Sequence, residues 1–163
     1  MIDNNKNSCV RGKKDSQPSP AQIAYVSLLS TADRVKTLFE AVCVPFDITS
    51  QQYNVLRILR GAGPDGLPTL TIAERMIEHA PGITRMIDRL ESKGLVAREI
   101  RPTDRRFVFC QITEKGMNLL KLLDEPVEEA NHRAFRGLNE AELDQLIALL
   151  VKMQKALESD HSF

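Results

Sequence analysis

Two short segments in the middle of the chain have the alternating pattern of strands, with Val96, Arg98 and Ile100 on one face of the first and Val108, Cys110 and Ile112 on one face of the second. The first runs from Val96 to Ile100, and the second runs from Val108 to Ile112. The rest of the chain, apart from its ends, repeats apolar residues at helical spacing. Together these patterns predict a single hairpin among helices, and therefore a mainly α fold with a small β-hairpin.

Helix starts are marked by capping boxes, in which a Ser, Thr or Asn and a Glu or Gln three residues later satisfy free backbone amides. The four pairs are Ser19 with Gln22, Thr49 with Gln52, Thr71 with Glu74, and Asn139 with Glu142. Thr113 is a further N-cap, and Pro45 and Gly94 are stop signals. We expect helices at 19–44, 49–60, 71–79 and 82–93, and two more that follow Thr113 and Asn139.

The order of these elements is three or four helices, a two-stranded hairpin and then two helices. A helix-turn-helix followed by a hairpin wing is a winged helix-turn-helix, which we assign to residues 47–113. Helical regions at 19–46 and 114–158 flank this domain. We expect a disordered N-terminal tail at 1–18 and a short tail at 159–163. The first helix spans roughly 25 residues, or about 37 Å, and helices of that length in a small domain often pair with a second chain.

The charge of the chain is balanced overall but unevenly distributed. The 163 residues include 22 basic and 22 acidic side chains. Residues 83–106 carry seven basic and four acidic side chains, whereas residues 114–163 carry six basic and ten acidic ones. A local basic region is what phosphate recognition requires, and a net charge of zero does not argue against it.

Composition and spacing also argue against several classes of protein. There is no apolar run of about 18 residues and no signal-peptide pattern at the N-terminus. The three widely spaced cysteines, Cys9, Cys43 and Cys110, do not suggest a disulfide framework. We therefore expect a cytoplasmic protein with no membrane partner.

No constellation of catalytic residues is evident in the sequence. Paired carboxylates, a nucleophile beside a base, and a phosphate-binding glycine loop are all missing. The three histidines, His79, His132 and His161, have no second ligand at metal-binding spacing. We expect no enzyme activity, no metal and no cofactor.

The helix predicted from Gly82 to Lys93 is amphipathic. At 100° per residue, Ile83, Met86, Ile87 and Leu90 lie on one side. The polar side is an arc of about 140° that carries Thr84, Arg85, Asp88, Arg89 and Ser92. Such a helix fits the DNA major groove, where Arg pairs with guanine and Thr or Ser contacts base edges or phosphates. Gly82 leaves the first helical amides uncovered, which favours contact with a phosphate; an ordinary solvated helix face is the alternative.

The predicted hairpin tip is strongly basic. It contains Arg101, Arg105 and Arg106 together with Asp104. An arginine here is suited to the narrow minor groove beside the major-groove helix, with Asp104 orienting it. A solvated turn is the alternative, but the helix face and the tip together favour binding to DNA.

Three stretches of the sequence resemble the core signature of the MarR (multiple antibiotic resistance regulator) family of winged-helix transcriptional regulators. They are residues 81–98 (PGITRMIDRLESKGLVAR), Asp104–Arg106 (DRR) and Ile112–Gly116 (ITEKG), and residues 48–59 also resemble the second helix of the family. The resemblance covers about 21–158, nearly the whole chain except the tails.

This resemblance implies a homodimer whose first and last two helices form the interface. It implies that the recognition helices enter successive major grooves of a pseudo-palindromic operator and that Arg106, held by Asp104, enters the minor groove. The helix face, the basic stretch, the hairpin tip and the resemblance together give the residues expected at the DNA: Gly82, Thr84, Arg85, Asp88, Arg89, Arg98, Asp104, Arg105 and Arg106. Many members of the family are repressors that a small aromatic or phenolic effector releases from DNA.

Two alternatives remain open at this stage. One is a winged helix that binds protein, or an antirepressor that does not bind an operator, because fold alone does not decide function. The other is a redox-sensing regulator, since one branch of the family activates a cysteine in its first helix with nearby tyrosines. Cys43, with Tyr25 and Tyr53, is the candidate here, and a buried inert cysteine is its alternative.

Overall fold

The computed structural model describes residues 17–78, 81–100 and 107–159. The helices are α1 (Pro20–Cys43), α2 (Ser50–Ala62), α3 (Thr69–Arg75), α4 (Ile83–Ser92), α5 (Glu114–Phe135) and α6 (Glu140–Ser159). The strands are β1 (Leu67–Pro68), β2 (Val96–Ile100) and β3 (Val108–Ile112). Short 3₁₀ turns at Val44–Phe46 and Gly63–Asp65 precede α2 and β1. The predicted mainly α fold with a small hairpin is confirmed.

Three of the four predicted capping boxes are formed. At the start of α2, the Thr49 hydroxyl accepts a hydrogen bond from the Gln52 amide, and the Gln52 side chain accepts one from the Thr49 amide. The pairs that precede α1 and α6 show the same reciprocal geometry. These local contacts fix where three helices begin, independently of what the helices later pack against.

The fourth capping box was wrong. Helix α3 begins at Thr69, two residues before Thr71, and Pro68 occupies the N-cap position without a side-chain hydrogen bond. The helix ends at Arg75, and Met76 is already extended. Burial explains the shift, because Ile72 and Met76 both enter the core and their placement overrides a local cap signal.

One core joins α2, α3, α4, α5 and the sheet. Its fully buried members include Leu56 and Leu59 from α2, Ile87 and Leu90 from α4, and Leu120 from α5. At the edge of this core Arg60 of α2 donates two hydrogen bonds to Asp124 of α5, at 3.0 and 3.2 Å. Because Ile87 and Leu90 are part of this core, the apolar face of α4 is buried in the domain and its polar face lies at the surface.

The sheet has three strands in the order β1-β3-β2, all antiparallel. The β2–β3 hairpin was predicted, but β1 was not, because two residues are too few to show an alternating pattern. Leu67 pairs with Cys110 and Pro68 with Phe109. Just before β1, Gly66 has φ +61°, and a Cβ there would lie 2.3 Å from the Cys110 carbonyl oxygen, so only glycine fits.

Two regions of the chain bury little of their apolar surface. The chain divides between Asp33 and Arg34 into two units, and every described residue of the first unit, 17–33, is exposed. In the second unit, α6 has no buried residue. Within the described ranges, no helix is long and apolar enough to cross a membrane.

Candidate nucleic-acid interface

Helix α4 has the two faces that the sequence predicted. Ile87 and Leu90 are fully buried, and Ile83 and Met86 pack against the same core. The opposite face is exposed and consists of Thr84, Arg85, Asp88, Arg89 and Ser92. Ten residues at 1.5 Å each make a rod about 15 Å long, which fits along a major groove.

The start of α4 is open. Gly82 is the N-cap residue, and no side chain among the described residues caps this end. Gly82 is exposed, and a Cβ added to it would meet no described atom within 4 Å. The first amides of α4, which have no partner within the helix, are thus accessible, and such amides favour an anion.

The end of α4 is closed by a Schellman motif, in which two amides beyond the helix bond back to its last turn. Gly94, with φ +70°, donates to the Glu91 carbonyl at 2.8 Å, and Leu95 donates to the Leu90 carbonyl at 2.9 Å. The predicted stop at Gly94 is confirmed. Because this conformation requires positive φ, glycine suits the position better than any other residue.

Two lysines hold this end of the helix in place. Lys93 forms an ion pair with Asp47 at 3.0 Å, and its ammonium also contacts the Asp47 carbonyl. Lys115 of α5 donates to the Lys93 carbonyl at 2.7 Å. A cation beside free carbonyls at a helix C-terminus is favourable. Sequence reasoning missed this cluster, because no local signal shows that Asp47, 46 residues away, meets Lys93.

The predicted DNA-contacting arginines of α4 and β2 fall into two classes. Within the described ranges, neither Arg85 nor Arg89 takes part in an ion pair, so both cations are available on the exposed face. Arg98 of β2 is different, because its guanidinium contacts Asp88 and lies 3.5 Å from Glu91. The hydrogen bond to Asp88 raises the pKa of Arg98 further above its ordinary value.

The hairpin tip lies outside the described residues. That applies to Arg101, Asp104, Arg105 and Arg106, and also to His79. The described strands end at Ile100 and begin again at Val108, and these two residues pair in register. The predicted role of Asp104, Arg105 and Arg106 in DNA binding therefore stays a prediction.

Cys43 does not have the environment of a reactive thiol. Its exposed fraction is 1%, and burial, with a smaller contribution from Glu40, raises its pKa to about 11. Burial also raises the pKa of Tyr53, so this phenol does not supply a phenolate, and it raises the pKa of Cys110. A thiolate is the reactive form of cysteine, and the structure therefore favours the buried, inert alternative.

A shallow apolar groove lies beside the end of α4. It has a volume of about 390 Å³ and is lined by Phe46, Asp47, Lys93, Leu95, Lys115, Asn118, Leu119 and Leu122. About half of its lining residues are apolar, and the lining also carries the Lys93–Asp47 ion pair and the Lys115 ammonium, which together suit a small apolar anion. Among the described residues, no cluster of three or more His, Cys, Asp or Glu side chains has the arrangement of a metal site.

Comparison with known proteins agrees with this geometry. The sequence profile of the MarR family matches residues 48–108. The crystal structure of a MarR transcription factor from Planctomyces limnophilus is 44% identical in sequence, with a TM-score of 0.66, over 83% of this chain and 98% of that one. The chain belongs to the MarR family.

Two further relatives extend the MarR assignment. YkoM of Bacillus subtilis, an uncharacterised HTH-type transcriptional regulator, is 37% identical over 102 residues. That match spans 62% of this chain and 64% of YkoM, less than two thirds of the relative. A mutant MarR from E. coli, crystallised with operator DNA, is 26% identical, with a TM-score of 0.74, over 85% of this chain and 99% of that one.

MarR proteins are DNA-binding transcription regulators rather than enzymes. The expected class of function is therefore confirmed.

Proposed function

We propose that this protein is a sequence-specific, homodimeric repressor that inserts α4 into the major groove of a pseudo-palindromic operator. The observation that carries the proposal is the exposed face of α4, where Arg85 and Arg89 are not engaged by any described carboxylate. An apolar face in the core holds the helix at a fixed orientation. Two unengaged guanidinium groups on such a helix are suited to guanine edges and phosphates.

The other DNA contacts follow from this placement. Thr84 lies on the same exposed face as Arg85 and Arg89, and Gly82 leaves the helix start open to a phosphate. We assign the minor-groove contact to Arg106, with Arg105 beside it and Asp104 orienting the arginine. A major-groove helix and a minor-groove wing in one subunit would read about half of a twofold operator.

Unburied apolar surface supports the homodimer. In α1 the exposed large apolar side chains of the first unit are Ile23, Tyr25, Val26, Leu28 and Leu29. In α6 they are Ile147, Leu149, Val151, Met153 and Leu157. Monomers rarely expose so much apolar surface on whole helices. We therefore assign dimerisation to the helices of 19–46 and 114–158, and DNA binding to 47–113.

The proposal is tested by fluorescence anisotropy over a salt series, with DNA fragments from the promoter region next to the gene for this protein. The wild-type protein should bind with log affinity falling linearly against log salt, by about 0.9 for each phosphate neutralised. If Arg89 contacts a phosphate, Arg89→Ala should weaken binding to all sequences and reduce the salt slope by about 1. If Arg89 contacts a base edge, the substitution should cost about 1–3 kcal/mol of binding free energy and relax the preference for one base. Arg136→Ala removes an exposed arginine at the end of α5 and serves as the matched control.

Two results would contradict the proposal. A monomer in sedimentation at micromolar concentration would exclude the twofold reading of DNA. Failure to bind duplex DNA at low salt would favour the protein-binding or antirepressor alternative. Transcription in vitro from a promoter that the protein binds then shows whether it represses or activates, and a repressor should lower the amount of transcript.

We also assign the groove at Phe46 and Leu119 to the small aromatic effector. A ligand in this groove contacts Lys93 and Leu95, which lie one and three residues beyond the end of α4, and we expect its binding to be coupled to the position of the recognition helix. Benzoate and phenol are suitable probes, because only benzoate carries an anion for the Lys115 ammonium, whereas the charge of Lys93 is already paired with Asp47. Benzoate should weaken DNA binding more than phenol does, and Lys115→Ala should remove this difference. Equal effects of the two probes on wild-type protein would exclude the lysines from effector binding.

A further inference from the structure

Arg98 joins the hairpin to the recognition helix. It lies on β2 opposite Cys110 of β3, and the buried Cys110 shows that this face of the hairpin is turned toward the core. The side chain of Arg98 is 25% exposed, which is low for an arginine on the edge strand of a small sheet. Its stem is therefore covered, and only part of its guanidinium is in contact with solvent.

The guanidinium contacts two successive turns of α4. Its Nη2 donates to the Asp88 carboxylate and lies 3.5 Å from the Thr84 carbonyl oxygen. Its Nε is buried, and Glu91 Oε2 lies 3.5 Å away. Thr84, Asp88 and Glu91 follow one another at i, i+4 and i+7, so they form a single stripe along the helix.

We propose that Arg98 is a positioning residue that fixes α4 against the hairpin and offsets one of the two negative charges of Asp88 and Glu91 beside the DNA-binding face, rather than a residue that reads DNA. The proposal rests on the DNA-binding role of α4 stated above. It reassigns both Arg98 and Asp88, which the sequence pattern placed among the direct DNA contacts.

Electrostatics explains why such a residue is needed. The carboxylates of Asp88 and Glu91 have the same sign as the phosphates, and both are partly exposed, at 52% and 44%. Without a compensating cation they would oppose the approach of DNA to Arg85 and Arg89. Arginine suits this position better than lysine, because its planar fork of donors reaches several acceptors at once, whereas an ammonium is a single point charge.

A double-mutant cycle tests this role on a promoter fragment that the wild-type protein binds. Arg98→Gln should weaken binding about tenfold, in the range of coupling seen for contacting charged residues, while leaving the slope of log affinity against log salt unchanged. Adding Asp88→Asn to Arg98→Gln should restore most of that loss. In the wild-type background Asp88→Asn should not strengthen binding, because its charge is already compensated.

Controls separate this role from a structural one and from general charge effects. Glu125→Gln removes an exposed negative charge on α5 and should alter affinity equally in both backgrounds. Arg98→Lys should give an intermediate affinity, because charge is kept and the fork is lost. Thermal unfolding of each variant shows whether the domain is intact, and rescue of DNA affinity by Asp88→Asn is not expected if Arg98→Gln merely destabilises the fold.

The outcomes distinguish the two proposals. If Asp88→Asn changes affinity by the same factor in both backgrounds, or if Arg98→Gln lowers the salt slope by about 0.9, Arg98 contacts DNA directly and the inference is wrong. DNA binding by wild-type protein in the same assay shows that the proposed function survives such a result. No binding by wild-type protein overturns both.

Discussion

Alkylation of Cys43 is a sharp quantitative consequence of the structure. Burial raises the pKa of this thiol from 9.0 to about 11. Two pKa units correspond to about a hundredfold lower thiolate fraction at any pH below 9. Because the thiolate is the form that attacks iodoacetamide, native Cys43 should react at least about a hundredfold more slowly at pH 8 than the same residue in the unfolded chain.

The assay compares native protein with protein in concentrated urea, with peptide mass spectrometry following the peptide that contains Cys43. The unfolded chain supplies its own reference rate, so neither Cys9 nor Cys110 affects the ratio. Native and unfolded rates within a factor of about three would refute the buried site and reopen the redox-sensing alternative.

The same pKa shift sets a pH dependence. The folded protein retains a proton that the unfolded chain releases above pH 9, so the free energy of unfolding should fall as pH rises from 9 to about 11. Below pH 9 both states are protonated and the contribution is constant. The difference in unfolding free energy between wild type and Cys43→Ala, measured across this range, isolates the effect.

Three stability predictions follow from contacts in the fold, each measured by urea unfolding. Gly116→Ala should destabilise the protein by about 1–3 kcal/mol, because the added Cβ would lie 2.4 Å from the Leu95 carbonyl oxygen. The control Gly61→Ala adds a Cβ with no neighbour within 4 Å and should stabilise the protein by about 0.4–1 kcal/mol. Equal effects of the two substitutions would contradict the close packing at Gly116. Leu56→Ala should cost about 2–5 kcal/mol, and a loss below 1 kcal/mol would show a looser core. Thr49→Ala should cost about 1 kcal/mol of stability because it removes the cap of α2, and Thr49→Ser, which keeps the hydroxyl, should cost much less. Identical losses would show that the hydroxyl does not stabilise the helix start.

Much of the fold could be predicted because its signals are local. The caps at Ser19, Thr49 and Asn139, and the positive-φ stop at Gly94, depend on residues no more than five apart in sequence, so the pattern contains the whole interaction. The faces of α4 were predictable for the same reason, since helical periodicity places Ile87 and Leu90 together. All of these features require no knowledge of the rest of the chain.

What the sequence did not show depends on distant partners. Strand β1 forms because Leu67 pairs with Cys110, 43 residues away. The ends of α3 depend on the burial of Ile72 and Met76 in the core. At the candidate site, the pattern grouped Arg98 with Arg85 and Arg89 because all three are basic and close in sequence. Tertiary contact separates them, because Arg98 alone lies against Asp88.

The bond from Lys115 to the Lys93 carbonyl fastens the last turn of α4 to the first turn of α5. In a twofold dimer two copies of α4 must stand one turn of DNA apart, about 34 Å. With α4 anchored to α5, any change in the angle at which the subunits meet becomes a change in that span. In the proposed dimer, residues of α5 that do not touch DNA therefore help to set the affinity for an operator.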